Sequence, residues 1–161
     1  MITVRPAAAL DAPDMARLLN EIIAIGGTTA MTRPVTATDM RDRMAANPGQ
    51  SAWHVAFDDK DALCGFQWIG PHPDLPAEAC DVATFVQTGR TQLGIGSALF
   101  NATAKAAEDL GYVWINATIR ADNTGGLTYY QSRGFRDWHF DEGVELESGQ
   151  IVDKISKRFD I

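Results

Sequence analysis

Cysteine is almost missing from these 161 residues, with only Cys64 and Cys80 present. Two cysteines build no disulfide framework, and they lack the Cys/His spacing of a zinc site. A stapled secreted fold and a bound metal are therefore not expected, and a reduced, cytoplasmic setting is. Basic residues are also scarce: 14 Lys and Arg stand against 21 Asp and Glu, a formal charge of −7. A nucleic-acid partner needs clustered Lys and Arg against phosphate, so that class is set aside. No run approaches the roughly 20 apolar residues of a spanning helix. The opening Met1-Ile2-Thr3-Val4-Arg5-Pro6 holds no apolar stretch of signal-peptide length, so no membrane partner is expected. Repeats, linkers and low-complexity tracts are absent too. What remains is a 45% hydrophobic, 22% charged chain, the composition and size of one folded domain over residues 1–161.

The punctuation of the chain is clear. Residues 2–5 read as a strand ended by Pro6. Asp11, Pro13 and Asp14 are helix-start signals, and Met15, Leu18, Leu19, Ile22 and Ile23 follow at helical spacing up to Gly26-Gly27. Thr36 with Asp39 three residues on predicts a capping box and a second helix ending before Asn47-Pro48-Gly49. Residues 51–57 and 62–69 are expected as strands about the polar turn 58–61, and residues 79–86 as a fourth strand. A long helix over 94–110, with Gly111 as its C-cap, is followed by a strand over 113–119. A short helix over 124–133 and a closing hairpin, 135–140 with 151–159, complete the reading. This order predicts a single mixed sheet with helices on its faces, an α/β (α+β) arrangement.

The chemistry concentrates between Asp81 and Phe135. Strand residues Thr84-Phe85-Val86 run into a loop, and Gly94-Ile95-Gly96-Ser97 opens a helix. Small residues at Gly94 and Gly96 let a ligand approach the backbone, and a helix N-terminus offers unpaired N–H groups and a partial positive charge. A pyrophosphate fits there, despite the acidic composition. A Walker A loop is excluded because no Gly-Lys-Ser/Thr run occurs. A Rossmann fingerprint is excluded because Leu99 stands at the third glycine position and seven residues separate Val86 from Gly94.

Further on, Asn123 precedes the short helix, Tyr130 lies seven residues later, and Gly134-Phe135 closes it. Strand, Gly-rich loop, long helix, strand, Asn, Tyr and Gly-Phe in that order resemble the GNAT superfamily of acetyl-CoA-dependent N-acyltransferases over nearly the whole chain. Arg90-Thr91-Gln92-Leu93-Gly94-Ile95-Gly96-Ser97 looks like its cofactor motif. Thr91 stands where the family usually carries Gln or Arg, leaving Arg90 or Gln92 for side-chain help at the pyrophosphate. The resemblance implies a twisted, mostly antiparallel sheet splayed between strands 4 and 5. The pantetheine arm of acetyl-CoA would enter that gap, beside Phe85 and the backbone of Val86, whose N–H would face the thioester carbonyl. It also implies that Gln92 to Ser97 would hold the pyrophosphate and Asn123 the cofactor arm.

Tyr130 would donate a proton or hydrogen bond to the leaving thiolate, with Tyr129 its competitor. Full transfer is uphill by roughly 2 kcal/mol from reference pKa values, a gap that a site-lowered tyrosine pKa would remove. Asp81 is the candidate base, with Glu78 and His72 as weaker ones. The N-terminal third resembles the phosphinothricin-type amino-acid acetyltransferases through Asn20 to Ile23, Gly27-Thr28-Thr29, Pro34, Thr36 and Met40. Thr28, Thr29, Met31, Trp68 and His72 are the candidate acceptor-site residues. Ala30-Met31 replaces the subgroup's Phe-Glu, and no arginine lies between Gly70 and Cys80 to hold an acidic acceptor. The expected function is acetyl transfer to a small-molecule primary amine, in a homodimer as in many relatives. A protein N-acetyltransferase, a non-catalytic acyl-CoA sensor and a ligand-free interaction module are the alternatives.

Overall fold

The computed structural model describes residues 1–90 and 94–161. Its elements are β1 (Thr3–Pro6), a 3-10 turn (Ala9–Asp11), α1 (Ala12–Ile25), α2 (Ala37–Ala45), β2 (Ala52–Phe57), β3 (Leu63–Gly70) and β4 (Ala79–Val86). They continue with α3 (Ile95–Asp109), β5 (Trp114–Arg120), α4 (Thr124–Ser132), β6 (Arg136–Glu145) and β7 (Ile151–Asp160). The strands form one seven-stranded sheet in the order β1-β2-β3-β4-β5-β7-β6. All of its pairings are antiparallel except β4 with β5. The mixed sheet expected from the sequence is thus the sheet observed.

Helices α1 and α2 cover one face. Their inward residues Met15, Leu19, Ile22 and Met40 pack on Trp53, Val55, Phe66 and Phe85. The capping box forms as expected: Asp39 N–H donates to Thr36 Oγ1, and Thr36 N–H to Asp39 Oδ2. Asn20 ties α1 to the chain entering α2, donating to Val35 O and accepting from Val35 N–H at 2.9 and 2.7 Å. Helices α3 and α4 cover the other face, where Ile95 and Leu99 meet Cys64, and Phe100 and Tyr130 meet Val82, Ile115 and Ala117.

Two expectations change in detail. Asp11 does not cap α1 with its side chain; it forms a bidentate ion pair with Arg5, both contacts 2.8 Å, and accepts from Ala8 N–H. Strand β6 continues to Glu145 rather than stopping near Phe140, because its bulges keep it in register with β7 as far as Glu145↔Ile151.

Candidate active site

The parallel strands β4 and β5 pair through only three positions, Ala79↔Trp114, Cys80↔Ile115 and Asp81↔Asn116. Beyond Asp81 they part, although β4 runs on to Val86 and β5 to Arg120. On its other side β4 stays paired with β3 up to Gly65↔Val86, and Gln87 N–H donates to Cys64 O at 2.9 Å. Backbone groups alternate along an antiparallel ladder, so Phe85 and Ala83 turn theirs toward β3. Val82 N–H still serves the last pairing, Asp81↔Asn116, while Thr84 and Val86 turn their N–H and C=O groups into the gap, with no strand partner among the described residues. This is a free edge that an extended, amide-bearing ligand can pair with.

The first turn of α3 lies at the end of that edge. Gly94 adopts φ 78°, the left-handed region that glycine tolerates, and caps the helix. The first intrahelical bond is Ala98 N–H to Gly94 O at 3.0 Å, so the N–H groups of Ile95, Gly96 and Ser97 precede it. No acidic residue lies in this turn, and Arg133 brings a cation to it, donating to Ser97 Oγ at 2.8 Å. A free strand edge ending at a helix N-terminus fits a ligand built like acetyl-CoA, with amides in its arm and phosphates behind. Thr91, Gln92 and Leu93, expected in the same phosphate loop, lie outside the described residues.

A chain of hydroxyls and one amide fills the α3/α4 side of the gap. Tyr129 Oη donates to Gly96 O at 2.7 Å and receives Gln67 Nε2–H at 3.1 Å. Gln67, fully buried on β3, also donates to Thr84 Oγ1 at 2.7 Å, and Thr84 Oγ1 lies 2.7 Å from Tyr130 Oη. Burial between Tyr129, Phe135 and the sheet pushes the Tyr130 pKa well up, opposed by the Thr84 hydrogen bond, and nearby Tyr129 and Asp81 add to the rise. The raised value keeps the Tyr130 hydroxyl protonated. Burial raises Tyr129 as well.

Asp81 lies on the opposite face, that of α1 and α2. Trp138 Nε1, which can only donate, reaches Asn116 Oδ1 at 2.9 Å and so orients that amide. Asn116 Nδ2 then donates to Asp81 Oδ1 at 2.9 Å and to Thr118 Oγ1 at 3.0 Å. Burial raises the Asp81 pKa, moderated by the Asn116 hydrogen bond and by the charges of His72 and Lys154. Strand alternation puts Lys154 on this face with Ser156 and Arg158, and no ion pair of Lys154 occurs among the described residues. Gly70, opposite Asp81, has no side chain to fill the space beside the carboxylate.

Comparison with known proteins decides the family. The model of the acetyltransferase (GNAT) family matches residues 17–135, well over half of the chain. The chain belongs to this family. A Bacillus subtilis strain 168 protein named "Putative phosphinothricin acetyltransferase YwnH" is 24% identical over 154 residues, 94% of each protein. A mycothiol acetyltransferase of Kocuria rhizophila is 29% identical over 113 residues, 66% of this chain but only 37% of that longer protein. Among solved structures, a GNAT superfamily phosphinothricin acetyltransferase from Sinorhizobium meliloti in complex with AcCoA shares the fold. Its TM-score is 0.89 at 19% identity, over 99% of this chain and 88% of that one.

Within this acetyltransferase the remaining expected residues fall into two groups. Some gather near the gap. Phe85 packs beneath α1 against Phe66, with ring centroids 4.9 Å apart, and Val86 ends the free edge. Trp68 stacks on Trp53 at 4.8 Å and leans over Gly70, alongside Asp81. His72 is exposed nearby, its Nδ1 accepting from Asp74 N–H. Others have partners that the sequence did not suggest. The Arg90 guanidinium is held by Asp58 at 2.7 Å and by Gln87, and it lowers the Asp58 pKa to about 2. Asn123 caps α4, accepting from Gly126 N–H, while its Nδ2 donates to Thr28 O at 3.1 Å. Gly126 is required there, since a Cβ would sit 2.5 Å from Asn123 Nδ2.

Thr28 and Thr29 belong to the loop joining α1 and α2, and Arg120 Nη1 donates to Thr29 O at 3.1 Å. Met31 N–H donates to Thr29 Oγ1, and its side chain packs on the α1/α2 core. Arg33 reaches Glu147 in the β6–β7 turn, so the loop arches toward the face that carries Asp81. Gln67, Thr84, Asn116 and Lys154 are marked by nothing in the sequence. They are single polar residues in strands, and only the alternation of those strands about the β4/β5 gap would point to them.

Proposed function

We propose that the chain transfers the acetyl group of acetyl-CoA to the primary amine of a small molecule, an amino acid or its analogue, by direct attack in a ternary complex. The observation that carries this reading is the parting of β4 from β5 immediately after Asp81↔Asn116. It leaves an unpaired strand edge between a carboxylate on one face and a tyrosine hydroxyl on the other. Acetyl-CoA supplies the activated thioester when bound. The N–H groups of Thr84 and Val86 hold the arm, and the one nearest the thioester carbonyl offsets developing charge, worth about 3 kcal/mol per donor. The α3 start and Arg133 receive the phosphates.

Asp81, raised by burial, takes the proton from the acceptor's ammonium group on its own face. Tyr130 donates a hydrogen bond to the sulfur as negative charge develops there. Lys154, on the Asp81 face of β7 and opposite Arg120, supplies the cation an amino-acid carboxylate needs, which the loop 70–80 does not. The outer strand β6, with Trp138 and Phe140 left 44% and 53% exposed, is the surface we assign to a homodimer.

Release of free thiol from acetyl-CoA over a panel of amines tests the function. Turnover is expected with free amino acids, and Lys154→Met should raise their KM at least tenfold while sparing amines without a carboxylate. Binding of acetyl-CoA without turnover on any amine would make the chain an acyl-CoA sensor. Activity confined to peptide N-termini would make it a protein acetyltransferase.

A further inference from the structure

The hydroxyl chain in the gap carries a direction that distances alone leave open, and proton counting fixes it as far as Thr84. Tyr129 has one proton, and its acceptor is Gly96 O at 2.7 Å. The Gln67 atom facing Tyr129 Oη at 3.1 Å must therefore be a donor, which makes it Nε2 and sets the amide's orientation. That same nitrogen gives its second proton to Thr84 Oγ1 at 2.7 Å. Thr84 keeps one proton of its own, and the acceptor within reach among the described residues is Tyr130 Oη, 2.7 Å away. Two arrangements satisfy this contact: Thr84 donates and the Tyr130 O–H is left to the gap, or Tyr130 donates to the second lone pair of Thr84 and the Thr84 O–H is left over.

We infer that Thr84 and Gln67 are positioning residues that hold the Tyr130 hydroxyl with its proton turned into the β4/β5 gap and its oxygen already supported by a donated hydrogen bond. The inference rests on the proposed role of Tyr130 as donor to the leaving sulfur. Thr84 is suited to the task by its place on the free edge of β4, where side chain and backbone serve the same ligand from adjacent bonds. A hydroxyl oriented in advance loses no time or free energy to reorientation as charge develops. Donation from Thr84 also opposes the upward effect of burial on Tyr130, favouring the form in which its proton is drawn away.

Thr84→Val removes the hydroxyl at constant shape, and Thr84→Ser restores it. Thr84→Val should lower kcat about tenfold, the effect of one oriented hydrogen bond, with KM for acetyl-CoA unchanged; Thr84→Ser should recover most of the loss. In a Tyr130→Phe background, Thr84→Val should have no further effect on kcat, because it acts only through the hydroxyl already removed. Independently of turnover, the infrared C–O stretch of ring-labelled tyrosine reports whether a phenol oxygen accepts a hydrogen bond. In cofactor-free protein the band lost in Tyr130→Phe should shift in Thr84→Val and stay in place in Thr84→Ser. An unshifted band, wild-type kcat in Thr84→Val, or an equal loss in both backgrounds would overturn the positioning role while Tyr130 kept its own. If Tyr130→Phe turned over at the wild-type rate with chemistry rate-limiting, the role of Tyr130 would fall first.

Discussion

Replacing Gly96 by alanine perturbs the chain at the junction of its helix start and its hydroxyl network. A Cβ at Gly96 would lie 2.6 Å from Tyr129 Cε1 and 3.2 Å from Cζ, well inside contact distance. The ring has little freedom to retreat: it makes an edge contact with Tyr130, centroids 4.9 Å apart, and its Oη bonds Gly96 O and Gln67. Overpacking of this kind costs about 1–3 kcal/mol. Moving the ring also breaks two hydrogen bonds, each worth about 1 kcal/mol net. The higher helix propensity of alanine returns up to about 1 kcal/mol. The balance is a loss of about 2–4 kcal/mol, or roughly 2–4 °C in Tm for each kcal/mol in a chain of this length. Urea denaturation followed by circular dichroism measures it. Adding Tyr129→Leu removes the clashing ring, so Gly96→Ala should cost much less in that background than in the wild type. A loss below about 0.5 kcal/mol, or strict additivity of the two substitutions, would refute the packing argument.

Asp81→Asn should abolish most turnover yet stabilise the fold at neutral pH. A folded-state pKa raised by burial means that the group's stabilisation is complete below the unfolded value of 3.8 and is lost as pH rises through the folded value. The advantage of the variant should therefore grow with pH from about 4 upward, and a pH-independent difference in chemical denaturation would contradict it. Both cysteines are fully buried with raised pKa values, Cys80 up to about 12. Neither should react with Ellman's reagent at pH 8 in the native state, two thiols appearing only in denaturant; fast native labelling would contradict this burial and would contaminate a thiol-release assay.

Local signals were legible in the amino-acid order because their physics is local. The Thr36/Asp39 capping box, the Gly111 stop and the span of β4 each depend on a few neighbouring residues, and each is found where expected. The splay could be expected only from family resemblance, since it depends on how two strands far apart in the chain meet. Side-chain assignments at the site were harder for the same reason. Arg90 looked available for phosphate, but Asp58 lies 32 positions away in sequence and 2.7 Å away in space. Gly96 was read as room for a ligand, whereas the space above it is filled by Tyr129. Gln67 drew no notice because a lone glutamine in an apolar strand acquires meaning only when a tyrosine 62 residues later folds over it.

The attachment of the α1–α2 loop bears on how this enzyme family diversifies. Thr28 and Thr29 are gripped from outside the loop by their backbone carbonyls, from Asn123 and Arg120, while the Thr29 side chain bonds within the loop, accepting from Met31 N–H. Every amino acid presents the same carbonyl, so substitution at those two positions changes the side chains of the loop while keeping both of its outside moorings. The clasp belongs to the scaffold and the lettering to the loop. On the proposed reading, in which this loop overlooks the acceptor, preference can drift, or be redesigned, one loop residue at a time while the sheet below keeps its geometry.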